Sequence, residues 1–333
     1  MRGLVCLPIT VALVVSLAAC VGTTEPVTQS REVLGTAVSV TVYGDEASTA
    51  APIVSAFAAM ALVEKRLSPY DASSTIAAFN RTPFERQPLP PDALAIIDRT
   101  DELGVSGSFS PALFGVTALY DFGGAGTVPE PAALQSATKA AASFRVVDGA
   151  ASFDTSQTVG TPGLDFGGAS KGLALDLAAR ALRGHPALIT AGSSTLAFGS
   201  KPDGQPWRVG IEDPREVGRV LAVVSCQGTL SVATSGDYQT YFEREGIRYH
   251  HILDPATGLP ARGLRALTVF GTMSALDADI LSTALFVMGP DRALVYARAH
   301  ALGVYLVDDH GVARSSVPAS FPVTLSAEAR PTP

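Results

Sequence analysis

Apolar residues in this chain alternate with polar ones in many short runs and recur at helical spacing in a few longer ones, and the two kinds of run do not alternate regularly. Residues 36–43 place Val38, Val40 and Val42 on one side of an extended chain, and residues 52–67 then place Ile53, Phe57, Met60 and Leu67 on one helical face. The same patterns predict helices over 91–103, 131–142, 170–182, 277–288 and 290–302. Strands are predicted over 144–147, 187–190, 207–211, 220–224, 230–233, 248–253, 265–270 and 304–307. Strand runs clustered between helical blocks favour an α+β fold, with mixed or antiparallel sheets and packed helices, over a doubly wound sheet. Apolar content of 47% over 333 residues supplies a large core, in one big domain or two intimate lobes. No internal repeat is visible.

The N-terminus reads differently. Arg2, an apolar run over 4–19 and Leu17-Ala18-Ala19-Cys20 match a lipoprotein signal, too short for a convincing stable span. Cleavage before Cys20 would leave a lipidated cysteine, and more than one acyl chain makes membrane attachment durable. An uncleaved signal anchor is the alternative. The expected division is a signal peptide over 1–19, a lipidated Cys20 with a Thr-, Pro- and Ser-rich tether to 31, one domain over 32–326 and a Pro-rich tail over 327–333. Such a protein sits in a bacterial cell envelope, facing the periplasm or the exterior.

Of three cysteines, Cys6 leaves with the signal and Cys20 carries lipid, so Cys226 is the one remaining thiol and no disulfide framework forms. Its strand-like surroundings mark it as a small buried hydrophobe. A formal charge of −7, more negative once Arg2 is removed, gives no electrostatic case for binding nucleic acid. A phosphate ligand would have to be met locally by a cation, a lysine or backbone amides.

Three segments carry chemistry. In His250-His251-Ile252-Leu253-Asp254-Pro255-Ala256-Thr257-Gly258-Leu259-Pro260, two histidines end a predicted strand and the chain turns at once, which holds the imidazoles on a rigid corner. The plainer reading is an ordinary turn between strands. Asp279 and Thr283 are one helical turn apart, so a carboxylate and a hydroxyl share a face, as a hard divalent cation such as Mg²⁺ requires. Asp277 points elsewhere and fits an N-cap; both aspartates could also merely cap and solvate a helix end. In Asp165-Phe166-Gly167-Gly168-Ala169-Ser170-Lys171-Gly172, a glycine turn runs into a helix start where amides and Lys171 favour an anion, although the spacing is not that of a Walker loop. Three weaker segments, each of which could be purely structural, join these: Leu67-Ser68-Pro69-Tyr70-Asp71-Ala72-Ser73-Ser74 ends a helix with an aromatic that could stack on a planar ring, and Gly107-Ser108-Phe109-Ser110-Pro111 and Ala233-Thr234-Ser235-Gly236-Asp237-Tyr238 are polar turns.

In combination and in this order, with Leu34-Gly35-Thr36, these segments resemble the ApbE family, the FAD:protein FMN transferases, over nearly all of the expected mature chain. The resemblance implies one T-fold-like domain and an enzyme that takes FMN from FAD, esterifies it to a Thr or Ser of an acceptor flavoprotein of an electron-transfer system, and releases AMP. By position it makes Asp279, Thr283 and a carbonyl near Gly168 the Mg²⁺ ligands. Leu34, Tyr70, Ser108, Phe109, Ser110, Asp165, Lys171 and Ile252 fall on the FAD side, and His251 lies beside the diphosphate. His251 or Asp237 is the candidate base for the acceptor hydroxyl; His251 is preferred because its pKa begins nearest neutrality. His250, one residue along the strand, is expected on the opposite face.

The chain departs from the family pattern at Ser110, where an aspartate is usual, at Ser170 for alanine, at Gly192-Ser193-Ser194 for Gly-Gly-Asn, and at Leu34 for methionine. Two other readings stand beside the transferase. One is an Mg²⁺-dependent FAD pyrophosphatase, with water in place of the acceptor. The other is a lipid-anchored flavin-binding protein whose catalysis has decayed, motivated by Ser110 and Leu34.

Overall fold

The computed structural model describes residues 25–154, 161–319 and 322–327. The expected signal peptide, Cys20 and nearly all of the Pro-rich tail lie outside them.

The strands are β1 (Val27–Val33), β2 (Thr36–Val42), β3 (Gln87–Pro88), β4 (Arg145–Val147), β5 (Ala150–Ser152), β6 (Ala187–Ala191), β7 (Ser194–Phe198), β8 (Trp207–Glu212), β9 (Val220–Cys226), β10 (Leu230–Gly236), β11 (Tyr241–Arg244), β12 (Ile247–His250), β13 (Leu264–Gly271), β14 (Gly303–Asp308), β15 (Ala313–Ser316) and β16 (Val323–Ala327). The helices are α1 (Glu46–Leu67), α2 (Thr75–Arg81), α3 (Pro91–Glu102), α4 (Phe114–Ala118), α5 (Pro131–Ala141), α6 (Ser170–Ala181), α7 (Ala275–Met288) and α8 (Pro290–Ala299).

One eight-stranded antiparallel sheet, ordered β1-β2-β6-β7-β10-β13-β14-β15, organises the α+β domain. On one side α6 packs against α1 and α7, and α7 lies along β10 and β13. A second layer, β16-β9-β8, closes a smaller core in which Trp207, Val224 and Cys226 meet Leu230, Val232 and Phe270 of the large sheet. The strand β13 is therefore sandwiched, which explains its nearly unbroken apolar run and its burial at every position but Arg265. Cys226 is a buried free thiol with its pKa raised by burial, the small hydrophobe expected of it.

Several boundaries differ from the sequence reading, and β10 runs on to Gly236 through residues read as a polar turn. Residues 27–31, read as tether, belong to β1, because Leu34 and Gly35 both take positive φ (60° and 66°) and form the two-residue turn that pairs β1 with β2 along its whole length. Helix α1 begins at Glu46, well before Pro52, because Asp45 accepts the Ser48 amide at 2.8 Å as an N-cap. Strand β12 stops at His250, short of the expected 253, and His251 already belongs to the turn.

Candidate active site

A cavity of about 1180 Å³ gathers residues from across the chain: Leu34, Tyr70, Ser108, Phe109, Ser110, Asp165, Gly168, Lys171, His251, Ile252, Asp279 and Thr283 all line it. Its size suits a ligand larger than an ordinary drug-sized molecule. Asp237 does not line it.

At one wall the oxygen donors converge on α7. Asp279 is buried, with Oδ2 accepting the Gly172 amide and Oδ1 accepting the Ser194 hydroxyl, both at 2.8 Å. One turn later, Thr283 Oγ1 lies 3.3 Å from Ser235 Oγ, which is itself 3.0 Å from Ser282 Oγ. A Cβ at Gly168 would stand 3.0 Å from the Phe109 ring and 3.3 Å from Thr283 Oγ1, so the glycine lets the backbone come up to the α7 hydroxyl. Helix α7 is anchored from outside: Asp176 of α6 accepts the Ala275 and Leu276 amides at 2.9 and 3.0 Å, and Ser274 caps by accepting the Asp277 amide. The expected N-cap role of Asp277 is thus taken by Ser274. Asp277 sits in the first turn, paired with Arg99 at 2.7 and 2.9 Å.

The donor set at this wall is all oxygen, with one carboxylate, and each Asp279 oxygen keeps a lone pair beyond its single hydrogen bond. That composition fits a Mg²⁺ ion, which binds through one or two carboxylates and retains water and substrate phosphate oxygens. Asp279, Thr283 and the backbone at Gly168 are the groups that would hold it.

On the glycine turn that leads to Gly168, Asp165 Oδ1 accepts the Gly167 amide at 2.8 Å and Oδ2 accepts the Tyr70 hydroxyl at 3.3 Å. Burial pushes the Asp165 carboxyl up, with those two hydrogen bonds opposing it, while desolvation and the nearby Asp165 carboxylate push Tyr70 up to about 12. The Tyr70 ring itself is exposed, available for stacking on a planar group. Lys171 donates to the Gly167 carbonyl at 3.1 Å, in the first turn of α6, whose N-cap residue Ala169 has no capping side chain. Ser110 accepts the Ala112 amide at 3.2 Å, so the hydroxyl that stands for the usual aspartate serves its own turn.

The histidine corner has the expected turn: Asp254 accepts the Ala256 amide with Oδ1 and the Gly258 amide with its carbonyl, at 2.9 and 2.7 Å. Its two imidazoles separate. His250 is buried, edge-on to Phe286, with Nε2 donating to the Ala261 carbonyl at 2.9 Å. His251 faces the cavity, with Nδ1 3.2 Å from the Thr240 carbonyl. A carbonyl can only accept, so Nδ1 carries the proton and Nε2 presents a lone pair. Burial, opposed by the Thr240 bond, lowers the His251 pKa to about 4, so the ring is neutral at physiological pH.

Asp237, the other candidate base, is placed elsewhere. Its carboxylate is gripped by Arg215 at 2.7 and 2.6 Å, with Arg248 at 3.6 Å. Both its oxygens are engaged by guanidiniums and it does not line the cavity, so it is not the free base the sequence suggested.

A profile of the ApbE family matches residues 34–306. The chain belongs to the ApbE family. Among ApbE relatives, the FAD:protein FMN transferase of Haemophilus influenzae is 30% identical over 337 residues, covering 95% of this chain and 97% of that protein. The FAD:protein FMN transferase of Treponema pallidum is 35% identical over 215 residues, 58% of each chain. The crystal structure of the ApbE protein from Thermotoga maritima superposes with a TM-score of 0.79 at 27% identity, covering 88% of this chain and 97% of that one. The apo flavinyl transferase ApbE of Pseudomonas stutzeri gives a TM-score of 0.73 at 28% identity, covering 88% and 95%.

This ApbE cavity also contains residues that sequence reasoning did not assign, among them Glu64, Phe122, Ser194's neighbour Ser193, Glu212 and Thr240. Ser194, noted only as a departure, and Ser235, passed over for Asp237, turn out to touch Asp279 and Thr283. Strand alternation in β10 could have placed Ser235 on the helix side; the partner of Ser194 is 85 residues distant and had no local signal.

Proposed function

We propose that this chain is an Mg²⁺-dependent FAD:protein FMN transferase, lipidated at Cys20 and held at the outer side of a bacterial membrane. The observation that carries the reading is that one dinucleotide-sized cavity joins the Asp279–Thr283 oxygen wall to the neutral imidazole of His251.

The acceptor's Ser or Thr hydroxyl attacks the phosphorus on the FMN side of the diphosphate. Its proton passes to His251 Nε2, whose lone pair the Nδ1–H bond to Thr240 keeps available. The P–O bond to the AMP phosphate breaks and AMP leaves, so FMN ends as a phosphoester on the acceptor. Lys171, in the first turn of α6, supplies positive charge for the diphosphate, and the helix dipole adds to it. When bound at Asp279 and Thr283, Mg²⁺ supplies further charge neutralisation of the phosphates. Asp165, Tyr70 and Phe109 line the same cavity and would contact the bound dinucleotide.

The test is Asp279→Ala, which should abolish flavin transfer even at saturating Mg²⁺; retained transfer would remove the metal assignment. Anchoring is supported by the Leu17-Ala18-Ala19-Cys20 motif and checked by metabolic labelling with a palmitate analogue, which Cys20→Ser should eliminate.

A further inference from the structure

The hydroxyl groups behind Thr283 form a chain whose proton positions can be assigned one after another. Ser282 Oγ donates to the Asp279 main-chain carbonyl at 2.9 Å, which can only accept. Its single proton is then committed, so the 3.0 Å contact between Ser235 and Ser282 requires Ser235 to donate. With the Ser235 proton committed in turn, the 3.3 Å contact between Ser235 and Thr283 requires Thr283 to donate. Thr283 Oγ1 therefore turns its hydrogen inward and its lone pairs toward the cavity. At Asp279 the same result holds, because the Gly172 amide and the Ser194 hydroxyl both donate into the carboxylate.

We infer that Ser235 and Ser282 are positioning residues that relay a fixed hydroxyl orientation from the Asp279 carbonyl to Thr283, making Thr283 an obligate lone-pair donor to a cation. Both serines are buried (7% and 1% exposed), Ser235 at the cavity wall and Ser282 behind it, and an uncommitted hydroxyl there would be costly. A threonine free to rotate would spend part of its time pointing a proton at a divalent ion. The relay removes that population, as partners of metal ligands commonly do. The inference rests on the proposed metal reading of Asp279 and Thr283.

The experiment is calorimetric titration of the metal-stripped full-length chain with Mg²⁺ and with Mn²⁺, in the absence of FAD, so that turnover plays no part. Ser235→Ala and Ser282→Ala should each weaken binding about tenfold while their thermal melts stay cooperative, and Ser235→Thr, which keeps the hydroxyl, should recover affinity to within about threefold of wild type. Ser282→Ala reports on the relay even if Ser235→Ala folds poorly, because it cuts the chain at its anchor. Binding by both alanine variants within about twofold of wild type overturns the relay. A wild-type chain that binds neither metal overturns the metal reading itself, and the relay with it.

Discussion

Gly172 and Asp279 meet across two helices: the Gly172 amide of α6 donates to Asp279 Oδ2 of α7 at 2.8 Å, and a Cβ at 172 would lie 2.8 Å from the Asp279 Cβ and 2.3 Å from the Ala275 carbonyl oxygen. Only glycine lets α6 come this close, and the closeness aims the carboxylate. Gly172→Ala should push the helices apart, lower stability by about 1–3 kcal/mol and lengthen the hydrogen bond to Asp279. Urea unfolding and the Mg²⁺ concentration for half-maximal transfer should both move; an unchanged metal requirement would mean that the helix contact does not set Asp279.

His251 and Asp237 separate cleanly by substitution. His251→Ala removes the lone pair facing the cavity and should lower turnover by about 10²–10⁴-fold, the usual worth of a positioned base. His250→Ala and Asp237→Asn leave that lone pair in place. Each should act mainly on stability: His250 fills space beside Phe286, and Asp237→Asn leaves Arg215 and Arg248 short of a counter-charge. Steady-state kinetics beside thermal melts for the three variants decides the matter, and a turnover loss in Asp237→Asn matching that of His251→Ala would restore Asp237 as a base.

A stability test comes from pH. The His251 imidazole titrates near 6.5 when unfolded and at about 4 in the fold. Between those values the unfolded chain binds a proton that the folded chain does not, so this group costs nothing above about pH 6.5 and destabilises the fold progressively as pH falls toward 4. Allowing for partial exposure of the ring, the loss is about 1–2 kcal/mol. His251→Asn should flatten the difference between unfolding curves at about pH 7.5 and about pH 5; an unaltered slope would place the pH sensitivity in other groups.

Much of this site was legible because its residues lie in short segments with local chemistry. The Asp254–Gly258 turn, the one-turn spacing of Asp279 and Thr283 and the opposite faces of His250 and His251 each follow from local geometry that sequence encodes directly. Long-range partners were not legible. Nothing near Asp237 in the chain announces Arg215, and Asp277 looks like a cap until Ser274 and Arg99 are both in view. Strand β1 was hidden for another reason: as an edge strand with a largely exposed Thr-Gln-Ser-Arg-Glu stretch, it lacks the apolar alternation that marks β2. The sandwiched β10 and β13, covered on both sides, were found by their apolar runs alone.

The most direct measurement is a product balance: the mature chain is incubated with FAD, Mg²⁺ and a candidate acceptor flavoprotein, and AMP release is compared with flavin fluorescence that remains on the acceptor after denaturing electrophoresis. The transferase account requires the two to rise together in equal amounts, and to vanish together in Asp279→Ala. AMP released with no flavin on any acceptor bearing a suitable Ser or Thr would contradict it and make the protein a pyrophosphatase.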